Sequence, residues 1–132
     1  MLTTDFDPHL GLVKVVSSDI RRVLINLFTN ALYALAQRKH QLGSDYTPQL
    51  RVVTKRRAKY IEIRVRDNGP GMSPEVQQKV FQPFFTTKPP GEGTGLGLSL
   101  SHDIVATGHG GTLTVASEEG KYAEFCLALP VK

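Results

Sequence analysis

Three short segments contain the residues whose types and spacing could do chemistry. In chain order they are an acidic, glycine-rich turn (Asp67–Gly71), a Phe-Phe-Thr-Thr-Lys run (Phe84–Lys88) and a Gly-Thr-Gly-Leu-Gly-Leu loop (Gly93–Leu98) that opens a predicted helix. Glycines set two apart let the backbone bend tightly and expose its N–H groups, and the helix adds its positive dipole end. Because these features suit a phosphate chain, the sequence predicts a nucleotide as ligand.

Three common phosphate-binding loops do not fit the glycine spacing. A Walker loop needs a Gly-Lys-Ser/Thr tripeptide, which the chain lacks. A dinucleotide-binding loop needs Gly-x-Gly-x-x-Gly, but its last position is Leu98 when counted from Gly93 and Leu100 when counted from Gly95. The glycine loop of protein kinases fails for the same reason. Another arrangement must therefore hold the nucleotide.

Two asparagines, Asn26 and Asn30, stand four residues apart on one face of the first long predicted helix. An amide oxygen is a hard, neutral ligand suited to Mg²⁺ that is shared with triphosphate oxygens. Taken alone, the pair is explained better by helix capping or by a buried hydrogen bond to a neighbouring strand. A magnesium role for one of them therefore depends on the other motifs.

Alternation of apolar and polar residues predicts six short strands. They are Leu2–Phe6, Leu12–Val16, Gln49–Arg57, Tyr60–Asp67, Thr112–Ser117 and Tyr122–Leu129. The third and fourth, with their turn near Ala58, contain seven Lys and Arg residues, which also suits a nucleic-acid surface. We favour a solvated face, because Val, Ile and Tyr alternate with the charges and no basic-aromatic module is present.

The first long helix is predicted to begin near Ser17 and to end near Leu42, before a helix-stopping Gly43. Its apolar residues recur every three or four positions, so that one face should be buried. They are Ile20, Val23, Leu24, Leu27, Ala31 and Leu35.

A short helix is predicted after Ser73, with proline at its first position and its end near Phe81. Residues 82–93 are rich in Pro and Gly, and a loop of this length in a compact domain predicts a mobile lid. The second long helix is predicted to begin near Gly95 and to end at Gly108 in a left-handed conformation. Its expected buried residues are Leu96, Leu100 and Ile104.

The composition is that of a soluble globular domain. The 132 residues are 40% hydrophobic and 21% charged, with a formal net charge of +4, which suits one domain with its own core. No apolar run approaches the about 18–20 residues of a membrane span, and no targeting signal is recognised. Cys126 is the single cysteine, which excludes a disulfide scaffold and predicts half-buried packing in a reducing, cytoplasmic setting.

Together, the motifs resemble the sequence boxes of histidine kinase catalytic domains. Asn30-Ala31 is similar to the asparagine box, Asp67–Gly71 to the first glycine box, Phe84–Lys88 to the phenylalanine box and Gly93–Leu98 to the second glycine box. Their order and intervals match as well. The resemblance covers nearly the whole chain and includes the His109-Gly110-Gly111 that commonly ends the second helix in this family.

This family belongs to the GHKL ATPase superfamily, shared with gyrase, the mismatch-repair ATPase and a heat-shock chaperone. The resemblance implies the Bergerat-type ATP-binding fold, an α/β two-layer sandwich whose mixed, mostly antiparallel sheet has three helices on one face. Residues 1–132 would form one catalytic and ATP-binding domain, without the dimerisation domain that bears the phosphoacceptor histidine. Because the family's dimer contacts lie in that missing domain, this one is expected to be a monomer.

The resemblance also implies roles at the base end of the nucleotide. Asp67 would accept a hydrogen bond from the adenine amino group, whereas guanine would present a carbonyl that repels it. Gly69 and Gly71 would let the backbone pass close to the purine, and residues around Ile104 would form an apolar floor with the sheet.

At the phosphate end, the second glycine box would allow lid closure and bring the helix N-terminus to the phosphates, with Thr94 as a hydroxyl donor. Lys88 is the expected cation near the terminal phosphate and Asn30 the Mg²⁺ ligand, and these two are the implied catalytic residues. Tyr33 stands where many relatives have a lysine or arginine directed at phosphate. The implied nucleotide-binding residues are Asn26, Asn30, Tyr33, Asp67, Gly69, Gly71, Phe85, Thr86, Thr87, Lys88, Gly93, Thr94, Gly95, Leu96, Gly97 and Leu98.

The lid region of this family faces the helical domain that carries the phosphoacceptor histidine. Of Phe81, Phe84 and Phe85, at least one is expected to anchor the loop in the core. The others would pack against that partner domain.

Position 26 separates two chemistries. Hydrolytic members of the superfamily carry a glutamate there as general base for water, whereas this chain has Asn26. An amide cannot accept a proton at neutral pH, so a kinase is favoured over an ATPase.

The predicted function is transfer of the γ-phosphate of Mg-ATP to a histidine on the dimerisation domain of a two-component sensor kinase, for relay to a response regulator. The chain's own histidines, at positions 9, 40, 102 and 109, lack the setting of such an acceptor. The alternatives are a nucleotide-binding regulatory module and a GHKL-type ATPase without phosphotransfer. Neither nucleic acid nor a membrane is an expected direct partner, although the parent protein could be a membrane sensor.

Overall fold

The computed structural model describes residues 2–8, 17–83, 85 and 97–130. The strands are β1 (Leu2–Asp5), β2 (Leu50–Arg56), β3 (Tyr60–Asp67), β4 (Thr112–Glu118) and β5 (Tyr122–Pro130). The helices are α1 (Ser17–Leu42), α2 (Pro74–Lys79) and α3 (Gly97–His109), with a 3-10 turn at Gly43–Asp45. These bounds agree with the predicted ones to within one or two residues, and the predicted strand Leu12–Val16 lies outside the described residues.

The five strands form one mixed sheet in the order β1-β2-β3-β5-β4. β1 runs parallel to β2, and the other neighbouring pairs are antiparallel. Val65 lies opposite Phe125 and Ile61 opposite Leu129, so β3 and β5 present their apolar residues on one face. These residues pack with the buried residues of α1 and α3 in a single core. The predicted two-layer arrangement is thereby confirmed.

The predicted buried stripe of α1 is also confirmed. Leu24 is half-buried and packs against the core, and the fully buried members are Ile20, Val23, Leu27, Ala31 and Leu35. Gly43 follows the helix with a φ of 71°, as a helix stop requires. None of the helices that the structure describes is long and apolar enough to cross a membrane.

The predicted buried face of α3 is wrong. Leu100 is 48% exposed, whereas Ser99, Ser101 and Val105 are buried and Ile104 only partly so. Serine side chains are short enough to let α3 approach α1 closely, so the contact between the helices sets the rotation of α3. Leu96, the remaining predicted member, lies outside the described residues.

The left-handed residue predicted at the end of α3 is wrong as well, although the end itself differs by only one residue. The helix continues through Gly108 to His109, and Gly110 takes the left-handed conformation with a φ of 67°. The N–H of Gly111 donates to the carbonyl of Val105 at 2.9 Å, which closes the last turn. His109 Nδ1 lies 3.0 Å from the carbonyl oxygen of Ile104, so this side chain contributes to the end of the helix.

The sheet face turned away from the helices carries an ion-pair network. Glu62 is 6% exposed and pairs with Arg57 and Arg64, and Arg64 also pairs with Glu124. Several basic residues of the β2–β3 hairpin therefore form ion pairs within the sheet. Cys126 is half-buried on this face, as predicted, and burial raises the pKa of its thiol, which favours the neutral form.

Candidate functional site

A cavity of about 510 Å³ lies between α1, α2, the first turn of α3 and the ends of β3 and β5. Its lining includes eight of the residues that the sequence predicts for the site. They are Asn26, Asn30, Tyr33, Asp67, Gly71, Phe85, Gly97 and Leu98. The fold therefore brings together parts of all four predicted boxes. The other predicted members, apart from Gly69, lie outside the described residues: Thr86, Thr87, Lys88, Gly93, Thr94, Gly95 and Leu96.

The apolar wall of the cavity differs from the predicted floor around Ile104, which is not a lining residue. Leu98 lines the cavity instead, because the rotation of α3 carries Ile104 toward the core. The other large apolar side chains of the wall are Met72, Val76, Val80 and Phe125. Flat purine rings suit a wall of this kind.

Asp67 ends β3 as a buried carboxylate on the cavity wall, only 3% exposed. Its Oδ1 accepts a hydrogen bond from the N–H of Gly69 at 2.9 Å. Burial raises the pKa of the carboxyl to about 6, and the hydrogen bond from Gly69 opposes this rise. Within the described part of the chain, Oδ2 has no hydrogen-bond partner. That oxygen is free to accept a hydrogen bond from a ligand.

The two glycines after Asp67 are required by the protein's own packing. A Cβ at Gly69 would lie 2.7 Å from Asp67 Oδ1 and 3.0 Å from the Cβ of Ala34. Gly71 has a φ of 69°, and a Cβ there would collide with the carbonyl oxygen of Glu118. Gly69 lies behind Asp67 rather than on the lining, so it acts on the site by allowing the turn to form.

Asn26 connects α1 with the first turns of α3. Its Nδ2 donates to Ser101 Oγ at 2.9 Å and to the carbonyl oxygen of Gly97 at 3.2 Å. Both amide hydrogens are therefore used between the helices, and Ser101 is completely buried. Of the two interpretations that the sequence allows, a buried hydrogen bond describes these contacts, although the partner is a helix and not a strand.

Asn30 lies one turn further along α1, half-buried on the cavity lining. Its side chain makes no hydrogen bond to any of the described residues. Tyr33 lies beside it on the same lining and is also half-buried. The Asn30 amide is accordingly available to a ligand, in contrast to that of Asn26.

Phe81 and Phe85 take different positions. Phe81 packs edge-on against Phe125, with ring centroids 6.1 Å apart, and serves as the expected core anchor. Phe85 is half-buried and lines the cavity, while Phe84 lies outside the described residues.

Three residues that support the site were missed in the sequence. Arg38 donates to the carbonyl oxygen of Gly69, and the hydroxyl of Tyr46 contacts Asn68. These partners lie 31 and 22 residues apart in the chain, so no local pattern predicts the contacts. Ser117 was missed in the same way, and its Oγ accepts from the N–H of Met72 at 2.7 Å.

Comparison with protein families gives an independent assignment. Residues 15–132 match the family model described as histidine kinase-, DNA gyrase B-, and HSP90-like ATPase. The chain is 42% identical over 123 residues to the two-component sensor PprA of Pseudomonas aeruginosa, covering 90% of this chain and 12% of that protein. It is 43% identical over 112 residues to the sensor histidine kinase ZraS of Escherichia coli O157:H7, covering 85% of this chain and 22% of that protein. It thus spans a quarter or less of these relatives.

Solved structures agree with this assignment. The catalytic domain of histidine kinase ThkA superimposes with a TM-score of 0.81 at 28% identity, over 98% of this chain and 79% of that one. The mycobacterial sensor histidine kinase MprB gives a TM-score of 0.78 at 25% identity, over 99% of this chain and 81% of that one. With the family match, the sequence relatives and the shared fold, the chain belongs to the histidine kinase-, DNA gyrase B- and HSP90-like ATPase family, as a catalytic domain of the histidine kinase type.

Proposed function

We propose that this domain binds Mg-ATP in the cavity beside Asp67 and donates the γ-phosphate to a histidine on a separate dimerisation domain, for relay to a response regulator. The observation that carries the proposal is the open Oδ2 of Asp67, an unpartnered carboxylate oxygen that stays accessible on the wall of a cavity large enough for a nucleotide base. Because Asp67 as a residue is only 3% exposed, this oxygen has little contact with water, and a donor supplied by a ligand is favourable there.

The exocyclic amino group of adenine is such a donor. Asp67 would accept from it through Oδ2 while Oδ1 stays bonded to Gly69. Guanine presents a carbonyl oxygen at the same place, and two acceptors facing each other repel. Adenine nucleotides are therefore the substrate class that this wall favours.

Another part of the lining, formed by Asn30 and the N-terminus of α3, suits the polyphosphate. Asn30 has an amide oxygen free for Mg²⁺, and the N-terminus of α3 begins at Gly97 with its dipole directed toward anions. Mg²⁺, when bound, offsets charge on the phosphates. No cluster of three His, Cys, Asp or Glu side chains exists among the described residues, so the protein contributes few of the ligands. A metal with few protein ligands is expected to enter the site bound to the nucleotide phosphates.

An amide at position 26, where hydrolytic relatives have a general base, favours phosphate transfer over hydrolysis. Among the described lining residues the carboxylates are Asp67, at the end of β3, and Glu119, in the β4–β5 turn. Asn26 is bonded to Ser101 and Gly97 and cannot accept a proton at neutral pH. The nucleophile would thus be supplied by another domain and act in line on the γ-phosphate, with positioning providing most of the acceleration.

The test is titration of the domain with ATP, ADP and GTP, with and without Mg²⁺, followed by incubation with γ-labelled ATP and the parent protein's helical hairpin. Adenine-selective binding and acid-labile, alkali-stable phosphate on the hairpin are expected. Asp67→Asn should weaken both at least about tenfold, whereas Asp103→Asn, at an exposed aspartate on α3, is the matched control. Binding without transfer would instead support a regulatory module, and phosphate release without an acceptor would support an ATPase.

A further inference from the structure

The turn that follows β3 is held by two side chains outside the cavity lining, Arg38 and Tyr46. We propose that these two are positioning residues, which preset the Asp67 carboxylate for the nucleotide base and so control base affinity and selectivity without touching the ligand. Neither of them is a cavity-lining residue. The proposal rests on the proposed nucleotide function of the same site.

Tyr46 acts on one peptide group of the turn. Its ring is buried, 8% exposed, and its hydroxyl lies 2.9 Å from both the carbonyl oxygen and the Oδ1 of Asn68. The carbonyl of Asn68 and the N–H of Gly69 belong to the same planar peptide unit. By bonding the oxygen on one side, Tyr46 orients the N–H that donates to Asp67 on the other. Burial raises the pKa of Tyr46, which keeps its hydroxyl a donor.

Arg38 acts on the next peptide group. Its Nη1 donates to the carbonyl oxygen of Gly69 at 2.8 Å, and its guanidinium lies 5.7 Å from the centroid of the Tyr46 ring. Both peptide groups that flank Gly69 are thereby held by side chains of distant sequence position. The Asn68 side chain adds to this, because it accepts from the N–H of Gln49 at 2.8 Å.

The Asp67 carboxylate depends on this turn more than on any other contact. The N–H of Gly69 is its single hydrogen-bond donor among the described residues. If that N–H moved, Oδ1 would lose its partner and the carboxylate would turn toward a new donor, which would redirect Oδ2. A misdirected acceptor gives a weaker bond to adenine, because hydrogen bonds weaken steeply as their angle departs from linearity.

The test uses Tyr46→Phe, which removes only the hydroxyl, and Arg38→Met, which removes the donors and keeps the length. Dissociation constants for ATP and ADP should both rise about five- to twentyfold, the value of one well-aligned hydrogen bond. The factor should be equal for the two nucleotides because they share adenine. The dissociation constant for GTP should change by less than about twofold, so that the preference for ATP over GTP becomes smaller. Arg38→Lys, which keeps a charged donor, should lose less ATP and ADP affinity than Arg38→Met.

Matched controls are Tyr60→Phe and Arg21→Met, both exposed and far from the turn. A merely structural role would lower the melting temperature and the fraction of competent protein but leave the ratio of ATP to GTP affinity unchanged. That result would overturn the proposal. Wild-type protein that binds no nucleotide would overturn the proposed function as well, whereas adenine-selective wild type with unaffected variants would overturn the positioning role alone.

Hydrogen exchange supplies a readout that needs no nucleotide. In the free protein, exchange of the Gly69 amide should be at least about tenfold faster in Tyr46→Phe than in Tyr60→Phe, because the peptide that carries it is no longer held. Equal exchange of this amide in the two variants would contradict the proposed mechanism.

Discussion

The side-chain amide of Asn26 donates to Ser101 Oγ at 2.9 Å and joins α1 to α3 across 75 residues of chain. The same amide donates to the carbonyl oxygen of Gly97. A carboxylate has no hydrogen to donate, so it would face an acceptor at Gly97 and lose that bond, while Ser101 could still donate its own hydroxyl hydrogen to it. The amide at position 26 therefore connects the two helices. In the proposed function, the same residue also leaves the site without a general base at this position.

Asn26→Asp should weaken ATP binding without creating an ATPase. The unpaired acceptor at Gly97, facing the new carboxylate, should lower the free energy of unfolding by about 1–3 kcal/mol and loosen the N-terminus of α3. Phosphate release and thermal melting measure the two effects, and Ser101→Ala should show a smaller loss of the same kind. A gain in hydrolysis would contradict the assignment of position 26.

Asp67→Asn should stabilise the free domain while weakening ATP binding. Burial raises the pKa of Asp67 to about 6 in the folded state, against 3.8 for an unperturbed aspartate, so the folded state binds the proton more tightly. Stability from this group is fully present below the unfolded pKa and is lost as pH rises through about 6.

The variant should therefore be more stable than the wild type by up to about 2–3 kcal/mol at pH 7.5, with the difference vanishing near pH 4. Its amide oxygen would stay with Gly69 and its NH₂ would face the adenine amino group, so ATP affinity should fall at least about tenfold, whereas GTP affinity should rise because the NH₂ can donate to the guanine carbonyl. Denaturant titrations across this pH range check the sign, and a variant less stable than the wild type at pH 7.5 would contradict it.

Asn30→Ala and Asn30→Asp should weaken the use of Mg-ATP. The free amide of Asn30 is the metal ligand in the proposed function, so phosphorylation of a supplied acceptor domain should drop at least about tenfold. Binding of ATP in the absence of Mg²⁺ should change much less. Gln41→Ala, exposed near the end of α1, is the control. Phosphorylation at the wild-type rate would refute the role of Asn30.

Gly71→Ala should destabilise the domain by more than about 2 kcal/mol, because it adds a collision with Glu118 to the cost of a positive φ. Gly120→Ala is an informative partner, since Gly120 has a φ of 81° but open space around its Cα, and it should cost only about 1 kcal/mol. Chemical denaturation gives both values. Equal losses would show that the contact with Glu118 is unimportant.

Glu62→Gln should destabilise the sheet without affecting nucleotide affinity. Burial alone would raise the pKa of Glu62, but the hydrogen bonds and charges of Arg64 and Arg57 lower it below its usual value. Its stabilisation is thus present above the unfolded pKa of Glu and lost as pH falls through the lower folded pKa.

The expected loss is about 1–2 kcal/mol at pH 7, and the variant should lose less stability than the wild type on acidification. Glu75→Gln, whose side chain is 79% exposed, should change stability very little. A reduced ATP affinity in Glu62→Gln would show that the outer sheet face is coupled to the site.

Much of the fold is determined by local patterns in the sequence. The stripe from Ile20 to Leu35 identifies the buried face of α1, because residues three and four apart on a helix share one side. The bounds of β3 follow from strict alternation between Tyr60 and Asp67. The chemistry of the cavity is equally local, since a carboxylate followed by two closely spaced glycines can be recognised in the sequence as a turn that exposes an acceptor.

Only the tertiary structure decided which way α3 faces and what holds the turn after Asp67. Leu100 is exposed because α3 turns the buried Ser101 toward Asn26 of α1, and the leucine spacing gives no sign of it. Arg38 and Tyr46 reach the turn through side chains whose partners are 31 and 22 residues away. Sequence periodicity reports burial within one element, whereas hydrogen bonds between elements depend on how those elements are brought together when the core forms.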